Sequence, residues 1–428
     1  MFAVARRIAL LAAGLLVFVA LPAHAGDDAR GLPGHNVRVS FAPASEETAA
    51  VAHNPTADEY LVVWADPRDF TNRAYDVWGR FLDGDGIRLG PEFRISGPAA
   101  TLNADSPDVA YDSCHGTFLV VWSDWRNFSA RGPDIYGQRI AADHSFIGWN
   151  FRVSGGSGAT GEFTPAVAAG AANRFLVVWS DGRDGTTAIY GRHVPAVPGP
   201  LDPDIRVSGP VGSDKSTPDV AYDGFSNEFL VAWHDNRNLG TTGWDVYAQR
   251  VSVIAGSPVR LGHNVRISLL GAVGDDWEPS VAAFRTGGGY LVVWGDGRAD
   301  RSVYGQRVHD DGTRIGVNFR IPGGGAGPVA TTPSVAALDC CGVKQWLVAW
   351  IDDRRIGTRG MDVYTQRLGT GGGGLGHNVR TSGAGALGDE LMPDAAAGDG
   401  EWLVVWGDGR NQPTTGQDVY AQRVTPGP

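Results

Sequence analysis

The stretch Phe118-Leu119-Val120-Val121-Trp122-Ser123-Asp124-Trp125-Arg126 decides the fold. Its core, Trp-x-Asp-x-Arg, returns at Trp64, Trp122, Trp179, Trp233, Trp294, Trp350 and Trp406, at intervals of 58, 57, 54, 61, 56 and 56 residues. A period of this size marks a repeat architecture, whose units cannot cover their own apolar faces and stack on their neighbours. The run is apolar, β-branched and aromatic with no polar alternation, as in a strand buried on both faces.

Outward from this run, repeat 2 holds a short strand led by Pro107 and a turn at 112–116. A third, alternating strand begins at Asp134-Ile135-Tyr136, and a fourth is Asn150-Phe151-Arg152-Val153-Ser154. Nothing in the unit has helical periodicity. Four antiparallel strands per repeat make the blade of a β-propeller, so the chain is predicted to be all-β with seven blades. Repeat 7 has only three strands before the sequence ends. Its fourth stands at the other end, as Gly34-His35-Asn36-Val37-Arg38-Val39-Ser40, which parallels Gly262-His263-Asn264-Val265-Arg266-Ile267-Ser268. The N-terminal strand is therefore expected to complete blade 7, closing the ring and leaving no open seam.

The blade order resembles the repeats of TolB-type periplasmic propellers. The features that carry the likeness are the proline-led first strand (Pro107), the second strand ending in Ser123-Asp124, and Asp134-Ile135-Tyr136. The chain departs from that pattern in lacking a Ser-Pro-Asp-Gly turn and in adding Trp and Arg to the second strand. The resemblance implies a blade plan and carries no function across.

Residues 1–25 read as a signal peptide. Arg6 and Arg7 precede an apolar run at 8–21, and Ala23-His24-Ala25 forms a cleavage site. That run is shorter than the ~20 residues a spanning helix needs. Residues 26–428 are expected to be one propeller, monomeric, secreted or periplasmic, and not membrane-inserted after cleavage. A formal net charge of −11 disfavours nucleic acid as a partner. The cysteines are Cys114, Cys340 and Cys341, and an odd count leaves at least one thiol unpaired or intermolecular. Cys114 and Cys340 hold equivalent places in repeats 2 and 6, too far apart around a ring to bridge. A vicinal Cys340–Cys341 disulfide would be strained, and no Cys-x-x-Cys redox motif is present.

Each second strand is followed by an Asp and an Arg, as in Asp124/Arg126 and Asp235/Arg237. These charges form either a ring of ligand-binding groups or a set of clamps within the blades. Sevenfold repetition points to clamps, since a single site needs a group only once. Asp76, Asp134, Asp245, Asp362 and Asp418 open third strands, whereas blades 3 and 5 have Ala188 and Ser302 and shorter loops. This pattern suggests that the Asp ties down the longer loop between second and third strands. The fourth-strand arginines (Arg38, Arg94, Arg152, Arg206, Arg266, Arg320, Arg380) alternate with apolar residues and read as solvated outer faces. Glu47, Asp105, Glu162, Asp214, Asp276 and Glu390 near the first-strand prolines are expected to neutralise the Arg ring.

A site is better sought where repeats differ. Trp125, Trp244 and Trp277 fall in loops on one face. Trp244 closes a loop of blade 4, and Trp277 leads into blade 5 among Asp275, Asp276 and Glu278, with His234 and Arg237 from blade 4 nearby. Indoles beside carboxylates and an Arg suit a sugar ring stacked on an aromatic face. The reading that loop tryptophans more often bear out is that the indoles pack under the loops as satellite clusters. Asp108, Asp219 and Asp394 follow first-strand prolines and could hold a cation such as Ca2+ at the channel, although no cofactor is otherwise indicated. No His-Glu-x-x-His, Gly-x-Ser-x-Gly or phosphate loop occurs. The expectation is a non-catalytic propeller that binds an envelope or extracellular polysaccharide or protein. The alternative is a sialidase-like glycoside hydrolase or lyase using carboxylates and arginines on the same face.

Overall fold

The computed structural model describes residues 34–42, 45–98, 100, 102–156, 160–171, 173–209, 212–252, 258–269, 274–297, 302–321, 330–383, 388–412 and 414–427. The expected signal peptide lies outside these residues, as does Arg298 of the fifth repeat.

Seven four-stranded antiparallel sheets form the blades; six run from innermost to outermost strand in chain order, and the seventh ends on the N-terminal strand. Blade 2 comprises Ala104–Asp112, Thr117–Asp124, Asp134–Ala141 and Phe146–Arg152. Blade 7 takes Glu390–Ala397, Trp402–Asp408 and Asp418–Val424 from one end of the chain and Asn36–Arg38 from the other. Asn36 stands opposite Gln422, Val37 opposite Ala421 and Arg38 opposite Tyr420, so the ring closes as the sequence implied. The innermost strands of neighbouring blades pack side by side around a central channel.

The unbroken apolar run of the second strand follows from its position between two neighbours. Phe118, Val120 and Trp122 pack against Leu61, Val63, Val77 and Ile95 of blade 1. Leu119 and Val121, pointing the other way, pack against Val167, Phe175, Val177 and Trp179 of blade 3. All five side chains are fully buried, and burial of each contributes roughly 1.5–3 kcal/mol. Period-2 geometry thus gives two apolar faces, and a seam of this kind is repeated around the ring.

Every innermost strand carries a bulge where its register slips against the second strand. The residue at the bulge has positive φ, between 45° and 52°, at Thr48, Ser106, Thr164, Thr217, Glu278, Thr332 and Met392. Such a backbone is costly for a β-branched residue and persists only where its surroundings hold it. In all blades but the first, the next residue is the proline noted in the sequence. These bulges encircle one mouth of the channel and turn the residues on either side of them into different surroundings.

Candidate functional site at the channel mouth

The repeated charges resolve first. In blade 2, the Asp124 carboxylate accepts from the indole N–H of Trp122 at 2.8 Å and from the Arg126 amide at 2.9 Å. It also accepts from the guanidinium of Arg126 at 2.6 and 2.7 Å. That guanidinium lies over the Tyr136 ring, 4.0 Å from its centre. The same Trp–Asp–Arg arrangement occurs in blades 1, 3, 4, 6 and 7. The Arg there caps Trp78, Tyr190, Tyr247, Tyr364 or Tyr420. Arg237, a candidate ligand contact from the sequence, is held in this way by Asp235 and Tyr247. In the six blades whose Arg is described, the charges form intrablade clamps.

The fourth-strand arginines require a correction. They are not solvated edge charges: Arg152 pairs with Asp134 at 2.6 Å, Arg94 with Asp76 at 2.7 Å and Arg38 with Asp418 at 2.6 Å. Their side chains are only 22, 21 and 17% exposed. Arg152 stands opposite Tyr136, two residues from Asp134 and therefore on the same face of the sheet. Where the Asp is missing, Arg206 turns to Asp184 and Arg320 to Ser302. The third-strand Asp does tie down the longer loop, through Asn127, Asn238 and Asn411, whose amides donate to Asp134, Asp245 and Asp418. Of the carboxylates expected to neutralise the Arg ring, Glu162 lies 3.6 Å from Arg183. Glu47 instead accepts from the Tyr75 hydroxyl.

Asp108, Asp219 and Asp394 line the channel as staples between blades. Asp108 accepts from the amides of Val109 and of Val167 in blade 3, and Asp219 from those of Val220 and of Val281 in blade 5. Asp394 accepts from the Val51 amide of blade 1 and the Ser334 hydroxyl of blade 6. Burial raises all three, Asp219 to about 6, and Asp108 is raised further by Asp394 and Asp219. Their oxygens do not all come within 4.8 Å of one another.

The loops of blades 4 and 5 are neighbours, as the sequence suggested. The Trp244 amide donates to Asp275 at 3.0 Å, and the Asp276 amide to the Trp244 carbonyl at 2.8 Å. The approach is so close that a Cβ on Gly243 would lie 2.5 Å from Asp275, and Gly243 also has φ +88°. The Trp244 indole meets the His234 ring edge to face at 4.8 Å. His234 bonds through Nε2 to the Ser216 hydroxyl and through Nδ1 to Thr217 at 3.1 Å, with the Glu278 amide 3.4 Å from Nδ1. Burial pushes this imidazole down to about 4, so it is neutral near pH 7. Burial raises the Glu278 carboxyl, which accepts from the Thr332 amide of blade 6.

Trp277 lies one step aside, over its own second strand. A Cβ on Gly295 or Gly297 would meet its indole at 3.1 Å, so the ring occupies space that two glycines leave open. Trp125 is in blade 2, against Phe128 at 4.9 Å and Phe163 at 6.2 Å, with Asp105 near it. Burial raises Asp105 to about 6. The structure thus assembles Trp244, His234, Asp275, Asp276 and Glu278, sets Trp277 beside them, and leaves Arg237 and Trp125 to other tasks. Ser216 and Thr217 were missed. Their signal was hairpin register, since Ser216 pairs directly with His234. On the outer wall, a groove of about 640 Å3 between blades 1 and 2 is lined by Arg94, Phe146 and Trp149, and the Trp149 side chain is largely exposed.

No helix among the described residues is long and apolar enough to cross a membrane. No family model matches the chain, and no curated protein matches it. Among solved structures, a protein of unknown function from Dyadobacter fermentans DSM 18053 is 11% identical with a TM-score of 0.51, covering 91% of this chain and 97% of that one. The α-L-arabinanase of Penicillium chrysogenum complexed with arabinobiose is 14% identical with a TM-score of 0.51, covering 74% of this chain and 92% of that one. The GH93 α-L-arabinofuranosidase of Fusarium graminearum with arabinobiose is 13% identical with the same TM-score and coverage. At these identities the chain is similar to them in fold alone.

Proposed function

We propose that this protein is an exported, non-catalytic binding propeller that receives a polysaccharide at the channel mouth, on the seam between blades 4 and 5. The observation that carries this reading is the break in the repeat there. Trp244, His234, Trp277 and Glu278 crowd one stretch of a rim whose other bulge residues are mostly Ser or Thr. Half-buried indoles beside carboxylates offer apolar faces for a sugar ring and acceptors for its hydroxyls. The solved arabinanase and arabinofuranosidase of similar fold hold arabinobiose, which makes arabinan oligosaccharides the first probes to use.

Hydrogen-bond direction argues against nucleophilic catalysis by Ser216. A backbone amide can only donate, so the Glu278 N–H makes His234 Nδ1 an acceptor. The ring proton then sits on Nε2 and is donated to Ser216, leaving no base to activate that hydroxyl. One observation favours the glycoside-hydrolase alternative: Glu278 and Asp105 are two mouth carboxyls raised by burial, as a general acid requires.

The test is a glycan screen of residues 26–428, with calorimetry on the hits and with Trp244→Ala, Trp277→Ala and Trp149→Ala variants. Loss of binding in the first two, with unfolding midpoints retained, is the expected result. Loss only in Trp149→Ala would move the site to the outer wall. Release of reducing ends from arabinan by the parent, abolished in Glu278→Gln, would replace the binding reading with the hydrolase.

A further inference from the structure

On the face opposite the loops, blade 6 differs from its neighbours. Its first two strands, Ala330–Cys340 and Val343–Asp352, have 11 and 10 residues, against 8 and 7 in blade 7. The longer hairpin closes through Cys341 and Gly342, both with positive φ (56° and 80°), while Cys340 pairs with Val343. Positive φ at both central residues defines the two-residue I′ turn, where Gly or Asn would be the expected first residue. A cysteine therefore occupies a position that favours other residues.

This turn reaches the next blade. Cys341 Sγ lies 3.2 Å from Asp399 Oδ1, and Cys340 Sγ lies 3.9 Å from the Gly398 carbonyl oxygen. The two sulfurs and a carboxylate oxygen all fall within 4.8 Å of one another, with Cys341 and Asp399 exposed and Cys340 half-buried. All three cysteines of the chain are free thiols. Toward blade 5, the same hairpin is tied by ordinary polar bonds, Thr286 donating to Asp339 at 2.8 and 2.7 Å. Toward blade 7 it presents sulfur instead.

We propose that Cys340, Cys341 and Asp399 form a binding site for a thiophilic divalent metal ion, Zn2+ or its probe Cd2+, across the seam between blades 6 and 7. Two thiolates select a soft ion over Ca2+ or Mg2+, which take oxygen ligands. Tetrahedral ligation at about 2.3 Å from sulfur sets ligand atoms roughly 3.7 Å apart. With no separation above 4.8 Å and the Cys341–Asp399 pair at 3.2 Å, the cluster reaches that spacing by small adjustments, within the rotamer freedom of exposed side chains. Two S–H protons leave to solvent as two metal–sulfur bonds form, and water completes the fourth position. The site is independent of the sugar seam, which lies at the other end of the blades.

The experiment titrates reduced protein with Cd2+ and follows the sulfur-to-metal charge-transfer absorbance. One equivalent per chain is expected, with the signal lost in Cys340→Ser and Cys341→Ser and unchanged in Cys114→Ser. Asp399→Asn should weaken binding by at least the roughly tenfold that loss of an outer partner alone can cost. Each variant is also unfolded in urea without metal, where an unchanged midpoint separates lost ligation from lost folding. Binding that survives both serine variants, disappears with Cys114, or is indifferent to Asp399→Asn would overturn the proposal.

Discussion

The clamp at the end of each second strand and the seam between blades 4 and 5 lie at the same end of the blades and follow opposite rules. In the clamp, Trp122, Asp124, Arg126 and Tyr136 satisfy one another, and equivalent groups do so in blades 1, 3, 4, 6 and 7. In the seam, Trp244, His234 and Glu278 satisfy one another only once. Blades 2 and 5 show how such differences are accommodated. The residue after the clamp Asp is Trp125 in one and Gly297 in the other, while the first strand supplies Asp105 in one and Trp277 in the other. An aromatic is present in both cases, but it comes from opposite sides of the hairpin. Repetition thus identifies what the fold needs, and departures from it identify where a ligand could be accommodated.

The largest expected effect tests the repeated side through pH. Facing the clamp Asp of blades 1 and 7 are Glu46 and Glu390, both fully buried, and burial raises each to about 9 from an ordinary 4.5. Neighbouring carboxylates add to the shift: Asp66 and Asp418 for Glu46, Asp408 and Asp362 for Glu390. A raised folded-state value means that the native protein holds these protons where the unfolded chain has released them. Their contribution to stability is then fully present below about pH 4.5 and falls as pH rises toward about 9. Urea midpoints should decline across this window, and Glu46→Gln with Glu390→Gln should flatten the decline. A midpoint that rises with pH would show that these carboxyls are ionised in the fold.

A smaller effect is expected from cutting one clamp. Asp124→Ala leaves Arg126, 12% exposed, without its carboxylate and the Trp122 N–H without an acceptor. Removing one partner of a buried pair costs about 3–5 kcal/mol, measurable in urea unfolding. A loss below about 1 kcal/mol, the value of a surface pair, would return the ring of charges to the pool of ligand-binding groups.

The fold was legible because its decisive signals are local or recur in every repeat: the second-strand run, the Trp spacing, and the outer strand displaced to the N-terminal end. The clamp was legible too, since Asp124 and Arg126 are two residues apart. Arg152 was misread because alternation shows that a residue faces away from its apolar neighbours and not what else occupies that face. Here it is Asp134, from the adjacent strand. The seam was half legible. Loop order placed Trp244 beside Asp275, but the hydroxyls that hold His234 depend on a hairpin register shifted by a bulge. Asp399 follows Cys341 by 58 residues, about one blade, and only the packing of blade 6 on blade 7 shows that their turns touch.

The smallest expected effect separates the two rules inside the seam itself. Ser216→Ala removes the acceptor of the His234 Nε2 proton while leaving Nδ1 bonded to Thr217. One half-buried N–H loses its partner, a cost of about 1 kcal/mol, well below that of an opened clamp. Because His234 is neutral and its Nε2 already carries the proton, no nucleophile is lost with this hydroxyl. Sugar binding should survive within about threefold, since loss of one neutral hydrogen bond behind the indoles leaves their faces in place. A variant that retained binding yet lost a hydrolytic activity of the parent would mean that His234 adopts the other tautomer when ligand arrives. The seam would then be a reacting site, and its single occurrence around the ring would mark chemistry rather than recognition.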